Sequence, residues 1–485
     1  MGSLKTKFLY QLSASFLHAL IPLITFPYVA RVLGPEKIGA INFVDYTAQI
    51  FITIANFGIP LYAVREIAKA RESSTHLQKV VSELLSIHVI MAIISIAAFL
   101  ATMRLGNTSG EAYSLIWLAC INLFLSAFSF DWFIHGMEDF RRLSFRSLIV
   151  KGVIAILIFV LIKTAQDYLI YYMLLVGGSL LLMAYDIYYL NSKQISISFG
   201  KNFSKHLKPL SIFFLTTASV SIYTLMDTFL LGVLTTTLAV GFYTTVLKII
   251  RLSQNFINDL GGVLLPRISY LIAKKDLPEI SRILQLSSLY VFTVAVPAGF
   301  LFFLLAPEVI MVIAGNQYLN AVSTLRILAL LPLIIGLSNI FGIQVLIPYG
   351  QEKQLLKAVF TGSIASILLC IIFCPLLKED GAAIATVAAE IIVTIILAKA
   401  AYKHFHFKIP WRFLLTILLT SFLFIPVVFT VRKALPNDLL VLVISLVSCI
   451  TIFGLVQLYA FANPVLQHLI LFARSSIFKF NLKKG

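Results

Sequence analysis

The sequence predicts an all-α integral membrane protein with about fourteen transmembrane helices. Three observations lead to this fold class. First, 60% of the 485 residues are hydrophobic and only 12% are charged, whereas soluble domains are about 45–50% apolar and about 25% charged. Second, the mean hydropathy is +0.96. Third, apolar runs of about 20 residues, the length that crosses the hydrocarbon of a bilayer, recur along the whole chain.

The apolar runs divide the chain into fourteen predicted spans, numbered in chain order. The first run follows Lys5 and Lys7 and is too long for the core of a signal peptide, so we expect it to remain as the first helix. The predicted spans are residues 8–31, 38–61, 79–103, 113–135, 146–164, 167–190, 209–233, 239–265, 283–305, 321–347, 355–377, 381–402, 411–431 and 437–460.

The basic residues predict how these spans are oriented. The chain has 38 Lys and Arg residues against 21 Asp and Glu residues, a net charge of +17. In a soluble protein this charge would suggest nucleic acid, but here the basic residues lie in short loops, so no nucleic-acid partner is predicted. About fourfold more of them fall on one side of the spans than on the other. We therefore expect both termini in the cytoplasm, with the basic loops against anionic membrane lipids.

The longest predicted loop divides the first twelve spans into two sets of six. We expect an N-lobe at residues 1–195 with spans 1–6, a C-lobe at 196–408 with spans 7–12, and spans 13–14 with a basic cytoplasmic tail at 409–485. A short pattern shared by the two sets predicts lobes related by an axis along the membrane normal. The matching positions are Leu33-Gly34, Gly39 and Phe43 in the first set and Leu231-Gly232, Gly241 and Tyr243 in the second.

Polar residues inside the spans recur at the helical spacing of about 100° per residue. A charge at the bilayer centre costs about 2.5–3.5 kcal/mol, so such residues usually face a bundle interior or a watery cavity. We predict that these side chains line a cavity. They are His18 on span 1; Asn42, Asp45, Gln49, Thr53 and Asn56 on span 2; Asp227 on span 7; Lys248, Arg251, Asn255 and Asp259 on span 8; and Arg326 on span 10.

A structural role competes with the cavity role. Polar residues also hold membrane helices together, at about 0.6–2 kcal/mol per hydrogen bond. Lys248 and Arg251 favour a cavity or an anionic ligand, because two cations one turn apart repel each other. Arg326 could equally reach the outer interface. His18 alone is more typical of a packed, hydrogen-bonded histidine.

Sequence motifs of common enzymes are absent. The chain has no Walker A, HExxH or GxSxG pattern, so we expect neither catalysis nor a cofactor or metal. Without an ATP site, active transport would draw on a proton or sodium gradient, the membrane potential or consumption of the substrate downstream. The four cysteines lie in apolar runs and are expected to be small core residues. They are Cys120, Cys370, Cys374 and Cys449.

Several segments carry a family resemblance. They are PYVARVLGPEKIGAINF (27–43), VREIAKARE (64–72), FDWFIHGMEDFRRLSFRSLIVKG (130–152), DTFLLGVLTTTLAVGFYTTVLKI (227–249) with LLPRIS (264–269), and GAAIATVAAEIIV (381–393). In this order they resemble polysaccharide biosynthesis proteins of the Wzx flippase type, in the multidrug/oligosaccharidyl-lipid/polysaccharide exporter superfamily. The stretch from Trp132 to Glu138 is the most specific, and spans 13 and 14 match nothing so distinct.

The resemblance implies two six-helix lobes around a central cavity that opens to each side in turn. It implies a bacterial cytoplasmic (inner) membrane protein whose substrate is undecaprenyl-pyrophosphate carrying an oligosaccharide repeat unit. A polysaccharide polymerase and other pathway proteins would be neighbours. Lys248 and Arg251 could hold the pyrophosphate, the polar residues of span 2 could hold the sugar, and Arg31 and Arg65 stand where relatives also carry basic residues.

Other functions remain open at this point. A cation-coupled multidrug antiporter has the same fold but would favour an acidic cavity, and a lipid II flippase is closer still. A membrane glycosyltransferase or polymerase would need a large extramembrane loop or paired carboxylates, and neither is visible in the sequence. A purely structural scaffold would not need charged stripes inside its spans.

Overall fold

The computed structural model describes residues 4–105, 110–200, 203–405 and 411–467, with side chains undescribed at 4–20, 105, 110–112, 216, 252 and 255–263. These ranges form α-helices joined by turns, loops and short 3-10 and π segments. The helices are α1 Leu4–Asn56, α2 Ile59–Ala70, α3 Ser74–Leu105, α4 Gly110–Ser126, α5 Asp131–Gly136, α6 Phe140–Leu161, α7 Tyr168–Ser192, α8 Ser204–Leu234, α9 Thr237–Ala273, α10 Leu277–Leu304, α11 Ala306–Ile313, α12 Val322–Leu328, α13 Leu331–Asn339, α14 Glu352–Ala401, α15 Trp411–Phe422, α16 Phe424–Ala434 and α17 Asp438–Leu455.

The predicted all-α membrane fold is confirmed. Eleven stretches of the described residues are long and apolar enough to cross a bilayer. Large apolar side chains face outward along them, including Trp117 at 63% and Leu376 at 73% exposure. Lipid can cover such side chains, whereas each helix satisfies its own backbone hydrogen bonds. The count of fourteen helices stays a prediction.

Two of the long helices each contain a sharp internal break. In α1 the break falls at Gly34, where φ is 75° and ψ is 169°, and it joins predicted spans 1 and 2. A positive φ suits glycine, which has no Cβ to clash with the backbone. In α14 the break falls at Lys378, where φ is 50° and ψ is −125°, and it joins spans 11 and 12. Each pair of predicted spans therefore meets in a tight turn.

Some predicted spans are divided where the sequence reads as one apolar run. Predicted span 4 divides into α4 and the short helix α5. Span 10 divides into α12 and α13, with Pro332 in the first turn of α13. Span 13 divides into α15 and α16, and Pro426 lies at the start of α16. Proline lacks the N–H that a continuing helix needs, so it is tolerated where a new helix begins.

The chain folds into two compact units. The first comprises Met1–Thr244 and Cys370–Lys378, and the second comprises Thr245–Leu369 and Glu379–Gly485. The predicted lobe boundaries at 195 and 408 stay a prediction. The four cysteines are buried and form no disulfide in the part of the chain that the structure describes, as expected of small core residues.

Predicted spans 13 and 14 are fastened to the second unit by polar contacts. The Arg432 Nε donates to Glu308 Oε1 at 2.5 Å, and its Nη2 donates to Glu308 Oε2 at 2.8 Å. This bidentate salt bridge joins α16 to α11. The Gln457 Nε2 donates to Thr420 Oγ1 at 2.9 Å, which joins the end of α17 to α15. The Asn463 Nδ2 reaches Thr293 Oγ1 on α10 at 3.3 Å. These helices are therefore integral to this unit.

Candidate functional site

In the first unit, the turn inside α1 packs directly against the start of α9. A Cβ on Gly39 would overlap the Thr237 carbonyl oxygen, and a Cβ on Gly241 would overlap the Pro35 carbonyl oxygen. The two backbones therefore touch directly, because neither glycine has a side chain to hold them apart. Small residues permit such close approach between membrane helices. We call this contact between residues 34–41 and 235–241 the glycine seam.

Buried polar and aromatic contacts continue from the glycine seam. The Asn42 Nδ2 donates to Thr244 Oγ1 at 2.7 Å, and Asn42 is buried. Next to it the rings of Phe43 and Phe229 stack with centroids 6.3 Å apart. Asn42 therefore joins α1 to α9 in this structure, and its role in lining a cavity stays a prediction.

Further along α1, predicted cavity residues meet α8. The Thr53 Oγ1 contacts Ser221 Oγ at 3.0 Å and also the Gln49 carbonyl oxygen at 3.0 Å. Gln49 and Thr53 are half-buried. The α1 polar stripe therefore faces α8 and the start of α9 at Asn42 and Thr53, within one unit.

The other stripe residues of α1 face different helices. The Tyr172 hydroxyl on α7 donates to Asp45 Oδ1 at 3.3 Å. The His88 Nε2 on α3 lies 3.0 Å from Asn56 Oδ1. Helical periodicity groups these residues with Asn42 and Thr53, but the structure distributes their partners among four helices. Interhelical hydrogen bonding is present here, and binding roles stay a prediction.

Asp227 is a buried carboxylate on α8 with a full set of partners. The Tyr243 hydroxyl on α9 donates to Asp227 Oδ2 at 2.5 Å, and the Thr228 N–H donates to Asp227 Oδ1 at 2.6 Å. A buried carboxylate is tolerated when several donors surround it. The arrangement fixes α8 against α9 just beyond the glycine seam.

The predicted cations of span 8 belong to the second unit. Lys248 and Arg251 lie on α9, are half-buried and have contacts with other residues. The structure assigns them no ligand, so their role in binding pyrophosphate stays a prediction. The side chains of His18, Asn255 and Asp259 lie outside the described residues.

Three predicted basic residues are exposed. Arg31 lies just before the α1 turn. Arg65 lies on α2, where its Nε contacts Glu66 at 3.0 Å and its guanidinium stacks on Tyr62, 5.2 Å from the ring centre. Arg326 borders an apolar recess in the second unit. The site predictions for these three residues remain open.

Sequence reasoning missed a buried charge cluster around the most specific family segment. Arg146 on α6 pairs with Asp186 on α7 and with Asp131 at the start of α5. The side chains of Arg146 and Asp186 are 2% and 1% exposed. Asp186 also accepts the Phe130 N–H at 3.0 Å. The aspartate at position 186, inside predicted span 6, was the available signal, but no polar stripe was predicted on that span.

A second missed cluster joins α3 to the start of α8. The Lys205 Nζ and His206 Nε2 lie 2.8 and 2.9 Å from Glu83 Oε2. The His206 Nδ1 contacts the Tyr62 hydroxyl at 2.7 Å. Glu83 is 2% exposed, so its charge depends on these partners. The first turn of α8 is thereby tied to α2 and α3.

We expect Glu83→Gln to destabilise the protein by about 1.5–3 kcal/mol, because it weakens two hydrogen bonds to a buried charged group. The measurement is the thermal unfolding midpoint of the purified protein in detergent. Glu66→Gln is the matched control, since Glu66 pairs with Arg65 and Lys69, whose side chains are 52% and 62% exposed. Such exposed pairs contribute about 0–1 kcal/mol. Equal shifts in both variants would contradict the assignment.

Comparison with known proteins places this fold and these residues in a family. The model of the family described as polysaccharide biosynthesis protein matches residues 4–272. The chain belongs to the polysaccharide biosynthesis protein family. The match confirms the resemblance predicted from the sequence and contains the glycine seam and both buried charge clusters.

Two curated relatives of this chain are both described as candidate O-antigen transporters. A candidate O-antigen transporter of Escherichia coli strain K12 is 27% identical over 399 residues, which cover 81% of this chain and 95% of the relative. A candidate O-antigen transporter of Shigella dysenteriae is 28% identical and covers 79% of this chain and 96% of the relative. The similarity therefore extends over nearly the whole length of each relative.

Solved structures with a similar fold include a lipid II flippase and a multidrug resistance transporter. The lipid II flippase MurJ in an inward closed conformation superposes with a TM-score of 0.72 at 15% identity and covers 93% of this chain and 99% of MurJ. An inward-facing multidrug resistance MATE family transporter of the MOP superfamily has a TM-score of 0.67 at 15% identity and covers 79% of this chain and 94% of the transporter. These likenesses confirm the fold.

Proposed function

We propose that this protein translocates undecaprenyl-pyrophosphate-linked oligosaccharide repeat units from the cytoplasmic to the outer leaflet by alternating access. The products would serve synthesis of a surface polysaccharide such as O-antigen, capsule or exopolysaccharide. The structural observation that carries the proposal is the glycine seam, a close backbone contact between α1 and α9 in a family named for polysaccharide biosynthesis, with the hydrogen bond from Asn42 to Thr244 beside it. An interhelical hydrogen bond contributes about 0.6–2 kcal/mol, so breaking the bond between Asn42 and Thr244 during transport would cost little.

The proposed binding roles follow the chemistry of the substrate. Lys248 and Arg251 would hold the pyrophosphate, because buried phosphate needs charge-assisted donors. Sugar hydroxyls would exchange with the partners of Thr53, Gln49 and Asn42 once the seam opens. The remaining proposed cavity residues are His18, Arg31, Asp45, Asn56, Arg65, Asp227, Asn255 and Asp259.

Transport would proceed without covalent chemistry, so we propose no enzymatic activity and no cofactor. A proton or sodium gradient could drive it. Asp45 and Asp227 would then be candidates for the coupling ion, since each is a carboxylate inside a membrane helix with a tyrosine hydroxyl as donor. The protein would lie in a bacterial cytoplasmic membrane with both termini in the cytoplasm, near a polysaccharide polymerase and other pathway proteins.

The runner-up functions share the fold. The likeness to MurJ keeps lipid II as an alternative substrate, and the likeness to a MATE transporter keeps a cation-coupled multidrug antiporter as another. Rescue of cells depleted of their own lipid II flippase would favour the first. Drug efflux that survives loss of Lys248 and Arg251 would favour the second.

The test is export of lipid-linked glycan in cells that lack this protein. We expect deletion to abolish the surface polysaccharide and to leave intermediates on the cytoplasmic leaflet. Lys248→Ala/Arg251→Ala should lower export roughly tenfold or more, because each lost charge-assisted bond weakens binding by about 1.5–3 kcal/mol.

The matched control is Lys353→Ala/Lys357→Ala, which removes two exposed lysines one turn apart on α14. It should export normally at equal protein level. Normal surface polysaccharide in the deletion strain, with no second flippase present, would overturn the proposed function. Normal export by Lys248→Ala/Arg251→Ala would overturn the cationic binding site alone.

A further inference from the structure

The second unit contains an apolar recess that the proposed transport does not use. It lies between α10, α12 with α13, and α15, and its volume is about 490 Å³. This volume falls within the range of about 300–1,000 Å³ typical of small-molecule sites. The lining side chains are almost entirely aliphatic or aromatic, with one exception. They include Val296, Phe300, Phe303, Leu330, Leu333 and Leu418, and the exception is Arg326.

Arg326 is an exposed cation at the end of this recess. Its Nε contacts the Phe303 carbonyl oxygen at 3.4 Å, and its guanidinium lies 5.6 Å from the centre of the Phe303 ring. Among the described residues no carboxylate forms an ion pair with it. The nearby Asp380 accepts instead from Thr324 at 2.6 Å and Ser323 at 3.0 Å. An arginine has five N–H donors and is always charged, so this one suits a phosphate oxygen.

The depth of the recess corresponds to one leaflet of a bilayer. Along α10 its lining runs from Ala295 to Phe303, which is about 12 Å at 1.5 Å per residue. Half of a hydrocarbon core of about 30 Å is about 15 Å. A phospholipid acyl chain fits this depth, whereas a long polyprenyl tail would extend well beyond it. On the predicted topology, Arg326 would lie at the outer interface.

We propose that the recess between α10, α12–α13 and α15 binds one acyl chain of an anionic phospholipid while Arg326 holds its phosphate. This assigns Arg326 to the lipid-facing surface instead of the transport cavity. The occupant combines an apolar chain, for which the lining is suited, with a negative headgroup, which the cation attracts. The site is independent of the transported substrate.

Native mass spectrometry of the full chain tests the site, with phosphatidylglycerol or phosphatidylcholine added after delipidation. We expect wild type to prefer phosphatidylglycerol roughly tenfold, because both lipids offer a phosphate to Arg326 but the choline cation of phosphatidylcholine is repelled by its positive charge. Arg326→Gln should remove this preference. Leu330→Trp should lower binding of both lipids by filling the recess, since Leu330 is 56% exposed beside it.

Matched controls separate the site from general lipid binding. Arg104→Gln removes another exposed arginine at a helix end, and Leu415→Trp enlarges a leucine that is also 56% exposed but does not line the recess. Both should bind lipid as wild type does. Equal loss in variant and control, or no preference in wild type, would overturn the proposal. Displacement of phosphatidylglycerol by an isoprenyl phosphate at lower concentration would overturn the assignment to a phospholipid.

Discussion

Gly241→Val is expected to lower polysaccharide export at least tenfold while the protein still accumulates in the membrane. The valine Cβ would overlap the Pro35 carbonyl oxygen, which is part of the backbone and has no rotamer into which it could withdraw. Overpacking of this kind costs about 1–3 kcal/mol or more. The conformation in which the glycine seam is closed would be destabilised by that amount. Each 1.4 kcal/mol lowers its population relative to the open conformation about tenfold. Export by cells that carry only the variant measures the effect.

The control is Gly177→Val on α7, because a Cβ at Gly177 meets nothing within 4 Å. Both variants place the same side chain in a membrane helix, so membrane insertion and helix propensity are matched. Gly39→Val should reproduce the Gly241→Val defect, since it meets the Thr237 carbonyl oxygen. Full export by both seam variants would show that this contact need not form during transport.

Arg146→Met is expected to destabilise the protein by about 3–5 kcal/mol, because it leaves the Asp186 carboxylate buried without its charge partner. The unfolding midpoint of the purified protein measures the effect. Arg142→Met is the control: the Arg142 Nε lies 3.2 Å from Asp139, and the Arg142 side chain is 51% exposed. This surface pair should contribute about 0–1 kcal/mol.

A double variant distinguishes a lost charge pair from lost packing. Arg146→Met/Asp186→Leu replaces both charges with apolar groups, and such replacement is often close to neutral. We expect the double variant to regain part of the stability that Arg146→Met loses. The recovery is incomplete because Asp186→Leu also removes the acceptor of the Phe130 N–H. If the double variant is less stable than Arg146→Met alone, the ion pair is not the source of the effect.

Much of the fold follows from the sequence because the bilayer imposes one rule on every span. An apolar run of sufficient length must be helical to satisfy its backbone, so the all-α architecture required no tertiary information. Local breaks follow less readily. Gly34 and Pro426 have residue types that permit a break. The charged residues 378–380 predict the break between spans 11 and 12, but the residue type of Lys378 does not predict its positive φ of 50°. Its conformation arises from the helices it connects.

The candidate site was only partly predictable for a related reason. Helical periodicity shows which side chains share a face, as with Asn42, Asp45 and Asn56. It does not show which neighbouring helix each one meets. Asn42 bonds α9, Asp45 bonds α7 and Asn56 bonds α3, and these partners are distant in sequence.

The missed clusters show a second limit. Arg146 and Glu83 lie near the ends of predicted spans, where basic and acidic residues are usually read as loop charges exposed to water. Arg146 pairs with Asp131 on α5 and Asp186 on α7, and Glu83 pairs with His206 in the first turn of α8. The apolar pattern predicted α5 only as the end of span 4, and the first turn of α8 lies outside predicted span 7. A charge at a span end is informative only once its covering segment is known.

The glycine seam also has a consequence for constructing chimaeras. Gly39 packs against Thr237 and Gly241 packs against Pro35, so the surfaces of the two segments are complementary. Exchanging residues 27–43 alone with a relative would pair one parent's turn with a mismatched surface. Functional hybrids between family members should therefore require residues 229–244 from the same parent, so that the two segments are inherited as one block.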